Sequence, residues 1–175
     1  RSSDLFAFEI SSNRAFLPDF DIIADRFSRL HSLRKICLNI KYYDTVNNES
    51  FFYIFTPLLK IKYLKELSVY MGMYNYAVTD LEGSIQSLKL LLLAHSNLES
   101  FTLDMRLEQP LPLHQALCHG YALKELCLFL RESRALFDSN FEVIANSLRT
   151  CSNLEKVSLN LSRCNNLTNS SIDYI

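Results

Sequence analysis

Leu154-Glu-Lys-Val157-Ser-Leu159-Asn-Leu161, introduced by Ser152-Asn153, decides the fold, because its pattern L-x-x-[apolar]-x-L-x-L returns along the chain. It recurs as Leu33-Arg-Lys-Ile36-Cys-Leu38-Asn-Ile40, Leu64-Lys-Glu-Leu67-Ser-Val69-Tyr-Met71, Leu98-Glu-Ser-Phe101-Thr-Leu103-Asp-Met105 and Leu123-Lys-Glu-Leu126-Cys-Leu128-Phe-Leu130. Phe6, Phe8 and Ile10 form the tail of a sixth copy. The anchors Leu33, Leu64, Leu98, Leu123 and Leu154 follow one another after 31, 34, 25 and 31 residues. Self-similarity at such a period marks stacked units, none of which buries its apolar face alone. The chain therefore reads as one solenoid domain over residues 1–175, with about five and a half strand-plus-helix repeats.

A second set of columns tests that register. Ten residues before each anchor stand Ile23, Ile54, Leu88, Leu113 and Ile144, and six before stand Phe27, Leu58, Leu92, Leu117 and Leu148. All are large and apolar, and a separation of four puts both columns on one helical face. Helices are expected over Asp19–Leu30, Gly83–His95 and Pro112–His119, with Gly120 as a C-terminal stop. Another carries Phe141, Ile144, Ala145 and Leu148, with Ser139-Asn-Phe-Glu142 as a capping box at its start. Pro57 restarts the second helix and sets Phe51–Phe55 apart as a separate turn.

Strands are expected near 6–10, 35–40, 66–71, 100–105, 125–130 and 156–161. Period-2 alternation points Ile36, Leu38 and Ile40 inward and leaves Lys35, Cys37 and Asn39 on the other face. The central outward row is Ala7, Cys37, Ser68, Thr102, Cys127 and Ser158, all small, as a crowded inner face of a curved sheet requires. Return through a helix makes successive strands parallel.

These residues resemble the leucine-rich repeat family, in its ribonuclease-inhibitor-like class, across nearly the whole chain. The resemblance implies an α/β arc or horseshoe, with a parallel β-sheet on the concave face and helices on the convex face. The family usually places Asn or Cys three residues after the second strand leucine. Here Lys41, Gly72, Arg106, Arg131 and Ser162 stand there, so the usual ladder of side-chain-to-backbone bonds is not expected, except where Asn165 or Asn166 restores it.

Composition narrows the chemistry. Net charge is -1, which gives no general attraction to nucleic acid or an anionic membrane. Only 3 glycines leave little material for phosphate-cradling loops, and no Walker, Rossmann or G-x-S-x-G pattern occurs. The longest apolar run, Leu90 to Ala94, is far short of the ~20 residues that span a bilayer. Asp4 and Glu9 interrupt the opening residues, so no signal peptide is read there. Cys37, Cys118, Cys127, Cys151 and Cys164 are odd in number and form no C-x-x-C pair. They read as thiols of a reducing compartment, and an intracellular, cytoplasmic location follows as an expectation. The sequence opens inside a strand pattern and stops at Ile175 where another helix is due, so a fragment of a longer protein is expected.

His31, His95, His114 and His119 lie apart, without metal-ligand spacing. His95 falls in an inward helix column with Leu30, Ile61, Gly120 and Cys151 and reads as structural. Cys118 and His119 are neighbours on a helix and point in different directions, so they make no nucleophile–base pair. No catalytic residue, cofactor or metal is therefore expected.

The outward strand rows carry the functional reading. Lys35, Glu66, Ser100, Glu125 and Lys156 mix charges, unlike a phosphate-backbone groove. The next row, Asn39, Tyr70, Asp104, Phe129 and Asn160, sets two large aromatics where solvent should be, the residue type enriched at protein interfaces. Tyr42, Tyr74 and Tyr76 follow in the post-strand loops, and Lys41, Arg106 and Arg131 form a basic row that reads as a solvated rim or as an edge for an acidic partner. The expectation is a non-enzymatic module that binds another protein through the concave sheet and these loops. The alternatives are a scaffold subunit of a large assembly, or the recognition segment of a longer enzyme or ubiquitin-ligase receptor.

Overall fold

The structure, a computed structural model, describes residues 5–12, 25–26, 29, 33–42, 55–56, 58–71, 81–107, 110 and 112–174. Its elements run β1 (Leu5–Ser12), β2 (Lys35–Tyr42), β3 (Glu66–Met71), α1 (Leu81–Ala94), β4 (Ser100–Asp104), α2 (His114–Leu117), β5 (Glu125–Phe129), α3 (Asp138–Leu148), β6 (Lys156–Asn160) and a 3-10 helix (Asn169–Tyr174). The strands form one six-stranded sheet in chain order, each parallel to the next. Helices follow the same order, α1 against α2, α2 against α3, and α3 against the 3-10 helix.

The register pairs the residues that the sequence pattern aligns. Ile36, Leu67, Phe101, Leu126 and Val157 are successive partners, and so are Leu38, Val69, Leu103, Leu128 and Leu159. The starts of β3 to β6 are anchored alike: the N–H groups of Glu66, Ser100, Glu125 and Lys156 donate to the carbonyls of Arg34, Lys65, Glu99 and Lys124. Strand and helix side chains share one core, in which Leu67, Phe101, Leu126, Leu88, Leu117 and Ile144 are all buried. β3 alternates as expected, with Leu67, Val69 and Met71 buried and Glu66, Ser68 and Tyr70 partly exposed.

Several boundaries differ from expectation. β1 and β2 are longer than the pattern predicts, and β4, β5 and β6 end one residue early, at Asp104, Phe129 and Asn160. Met105 and Leu130 stay buried beyond the ladder because their N–H groups still donate to Phe129 and Asn160, at 3.0 and 2.9 Å. α3 starts at Asp138, so Ser139 is inside its first turn rather than capping it. Asn140 supplies half a box one step earlier, accepting the Phe137 N–H at 3.3 Å. The Asp138 carboxylate is spent on the next layer, accepting from the Thr168 N–H at 2.9 Å, the Thr168 hydroxyl at 2.7 Å and the Ser171 hydroxyl. Those bonds, Ser171 foremost, hold its carboxyl below the usual range.

Gly120 is not a left-handed stop, since no described glycine has positive φ. It is needed for closeness: a Cβ there would lie 2.5 Å from Leu123 Cδ1 and 3.2 Å from the Leu117 carbonyl oxygen. The expected helix over Asp19–Leu30 falls mostly outside the described residues, where only Asp25 and Arg26 are helical; most of the Phe51–Phe55 turn falls outside as well.

The strand-leaving loops hold the largest correction. The residues that turn in and bond backbone are Ser133 and Cys164, five rather than three positions after Leu128 and Leu159. The Ser133 hydroxyl accepts the Leu107 N–H at 2.8 Å, and the Cys164 thiol donates to the Leu130 carbonyl at 3.0 Å. Asn166 adds a bond to the Arg134 carbonyl. Glu132 and Arg163, one residue ahead of Ser133 and Cys164, adopt φ of 59° and 60° to swing them inward. Backbone groups that leave a ladder in a packed layer need partners, and these loops supply them from the side.

Candidate binding face

The register sets Asn39, Tyr70, Asp104, Phe129 and Asn160 in one line across five strands. At about 4.8 Å per strand the line is roughly 19 Å long. Glu9, in β1, extends it by one position, a member that the incomplete first copy of the pattern did not single out. The side chains of Asn39, Tyr70, Phe129 and Asn160 are partly exposed, on the face that alternation turns away from the core. Asn160 is partly used, since its Oδ1 accepts the Ser162 N–H and hydroxyl at 3.1 and 2.7 Å.

Asp104 departs from the expected open surface. It is buried to 9% exposure between Tyr70 and Phe129, its register neighbours. Arg131, two residues beyond Phe129 and so on the same face, donates from Nη2 to its carboxylate at 2.8 Å. Arg106 and Arg131 are likewise not a solvated rim. The Arg106 side chain is largely covered and faces Glu132 at 3.8 Å, while exposed Arg163 pairs with the same Glu132 at 2.8 Å. Sequence alone missed Glu132 and Arg163, because no Gly or Asn advertises their left-handed backbone. Lys41 and Tyr42 lie in β2 with side chains outside the described residues, and Tyr74 and Tyr76 lie outside them altogether. The structure thus brings Tyr70, Asp104, Phe129 and Arg131 together and leaves the loop tyrosines unplaced.

At the leading edge of the sheet, charges close on one another. Glu99 accepts from Lys65 at 2.5 Å and Lys124 at 2.9 Å, which pulls its carboxyl down to about 2. Lys35 pairs with Glu66, and Lys156 lies 3.5 Å from Glu125. Arg34 stacks over the Tyr63 ring at 4.8 Å. Exposed pairs like these add little stability.

Among the described residues no group of three or more His, Cys, Asp or Glu could hold a metal ion. None of their helices is long and apolar enough to cross a membrane. His95 is buried at 5% exposure, and its Nε2–H donates to the Leu58 carbonyl at 2.8 Å. Burial holds its imidazole below the ordinary 6.5, against a smaller opposite effect of the Leu58 bond. An unfolded chain binds a proton at His95 near pH 6.5 while the folded chain still refuses it. Stability is therefore expected to fall as pH drops below 6.5, by at most about 1.4 kcal/mol per pH unit from this group. Urea titrations at pH 7.5, 6.5 and 5.5 check this: His95→Gln should flatten the slope, and an unchanged slope would place the linkage elsewhere.

No protein-family model and no curated protein matches this chain.

Proposed function

We propose that the chain is a leucine-rich repeat solenoid of the ribonuclease-inhibitor-like class, acting without catalysis as a protein-binding module in the cytoplasm. Support for the repeat reading comes from the parallel strand order and from a register that matches the sequence columns. Five free cysteines, two of them buried, fit a reducing compartment. The observation that carries the binding reading is the Tyr70–Asp104–Phe129 line: two partly exposed aromatics flank a buried, paired carboxylate on a face backed by a fully packed core. Aromatic anchors on a rigid support lose little entropy on binding, which favours affinity.

Affinity capture from native extract with mass spectrometry, comparing wild type with Tyr70→Ala/Phe129→Ala, is the test. A protein set held by wild type and released by the double variant is expected. The same set on both would move the contact off this face.

A scaffold role in a large assembly is the second reading. It is favoured by a groove of about 440 Å³ between α3 and β6, lined by Phe141, Leu148, Leu154 and Val157, with Val157 44% exposed.

A further inference from the structure

The strand-leaving edge differs from the leading edge in a way that selects a partner. At the leading edge Lys35, Lys65, Lys124 and Lys156 meet Glu66, Glu99 and Glu125, and no large aromatic stands in their row. At the strand-leaving edge three guanidinium groups, those of Arg106, Arg131 and Arg163, share two carboxylates, Asp104 and Glu132. The Asp104–Arg131 pair stands beside Phe129 and Tyr70, so here guanidinium groups and large aromatics share one edge.

Arg131 is the centre of this arrangement. A guanidinium offers five N–H donors in a planar fork, suited to grip a carboxylate with two parallel bonds. Nη2 is spent on Asp104, whereas Nε is buried and has no hydrogen-bond partner among the described residues. A buried donor left unmet costs free energy that a second carboxylate removes once the fork turns to present Nε and an Nη together. The Arg131 side chain is 40% exposed, so such a group can reach it. Arg163, 79% exposed and paired with Glu132, adds a second cation to this edge.

We infer that this edge takes an acidic protein segment, in which one Asp or Glu binds the Arg131 fork while an adjacent apolar side chain packs on Phe129 and Tyr70. The inference rests on the binding-face reading above and adds the chemistry of the partner. Mixed apolar and carboxylate contact also explains why the aromatics and the arginine share one face: the rings exclude water from the ion pair, which strengthens it.

The test uses a random linear peptide library displayed on phage and selected on the whole 175-residue chain. Recovered peptides are remade and titrated by fluorescence anisotropy. Expected are peptides with Asp or Glu next to an apolar residue, bound roughly tenfold more weakly by Arg131→Gln and by Tyr70→Ala/Phe129→Ala. Raising salt from about 0.05 to 0.3 M should weaken wild-type binding too. Because Arg131→Gln strands a buried Asp104, Arg163→Glu serves as a second variant on an exposed side chain and should also weaken the acidic peptides. Peptides without acids, lost by the aromatic double variant but indifferent to salt and to both arginine changes, overturn this inference and leave the binding face standing. Peptides indifferent to every variant overturn both.

Discussion

Leu126→Asp is expected to leave the chain unfolded. Leu126 is 0% exposed in β5, with Phe101 and Val157 as its register partners on either side. Removing its side chain alone costs about 2–5 kcal/mol. The new carboxylate has no cation on that side of the sheet among the core residues, and burying an unpaired charge costs several kcal/mol more. Together these match the whole stability of an ordinary domain, about 5–15 kcal/mol. Far-UV circular dichroism and urea denaturation read the outcome. A soluble variant with a cooperative transition would mean that β5 presents its other face to the core. Ser68→Ala is the companion measurement: Ser68 is partly exposed on the opposite face, and a change within about 0.5 kcal/mol is expected.

Phe101→Ala should cost about 3–5 kcal/mol, while Val157→Ala, in the same register row, should cost no more than about 1 kcal/mol. Phe101 is 0% exposed in β4, between Leu67 and Leu126, so its removal leaves a void that neighbouring layers cannot close. Val157 is 44% exposed at the edge of the sheet, where no strand follows β6 among the described residues. Urea midpoints of the two variants give the comparison. Equal losses would show that the β6 edge is covered in solution, and dilution of the wild type would then separate self-association from internal packing.

Much of this was legible in the chain itself. L-x-x-[apolar]-x-L-x-L places three alternating apolar positions on one strand face behind an anchor leucine, and two more columns place a helical face behind it. Burial of both sets at once is satisfied by parallel strands stacked in order, so the row Asn39, Tyr70, Asp104, Phe129 and Asn160 could be written before any coordinate. His95 was legible for the same reason, since its column also holds Ile61, Gly120 and Cys151, all buried. Loop chemistry was not. The turn at Glu132 and Arg163 needs positive φ at residues that carry no local preference for it, so the inward position shifted to Ser133 and Cys164 unseen.

The sequence by itself determined which residues share a layer and a row, because periodicity is a property of chain spacing and every apolar column must find cover. It also determined the residue types offered on the open face. Only the tertiary structure decided what those residues do there. Asp104 is not a free carboxylate but a buried partner of Arg131, and Arg106 and Arg163 converge on Glu132 from different loops. Such pairings join residues about a repeat apart in the chain. Ion pairs form wherever the folded geometry brings opposite charges within reach, and that distance is set by loop conformation and strand packing rather than by the pattern of hydrophobic residues.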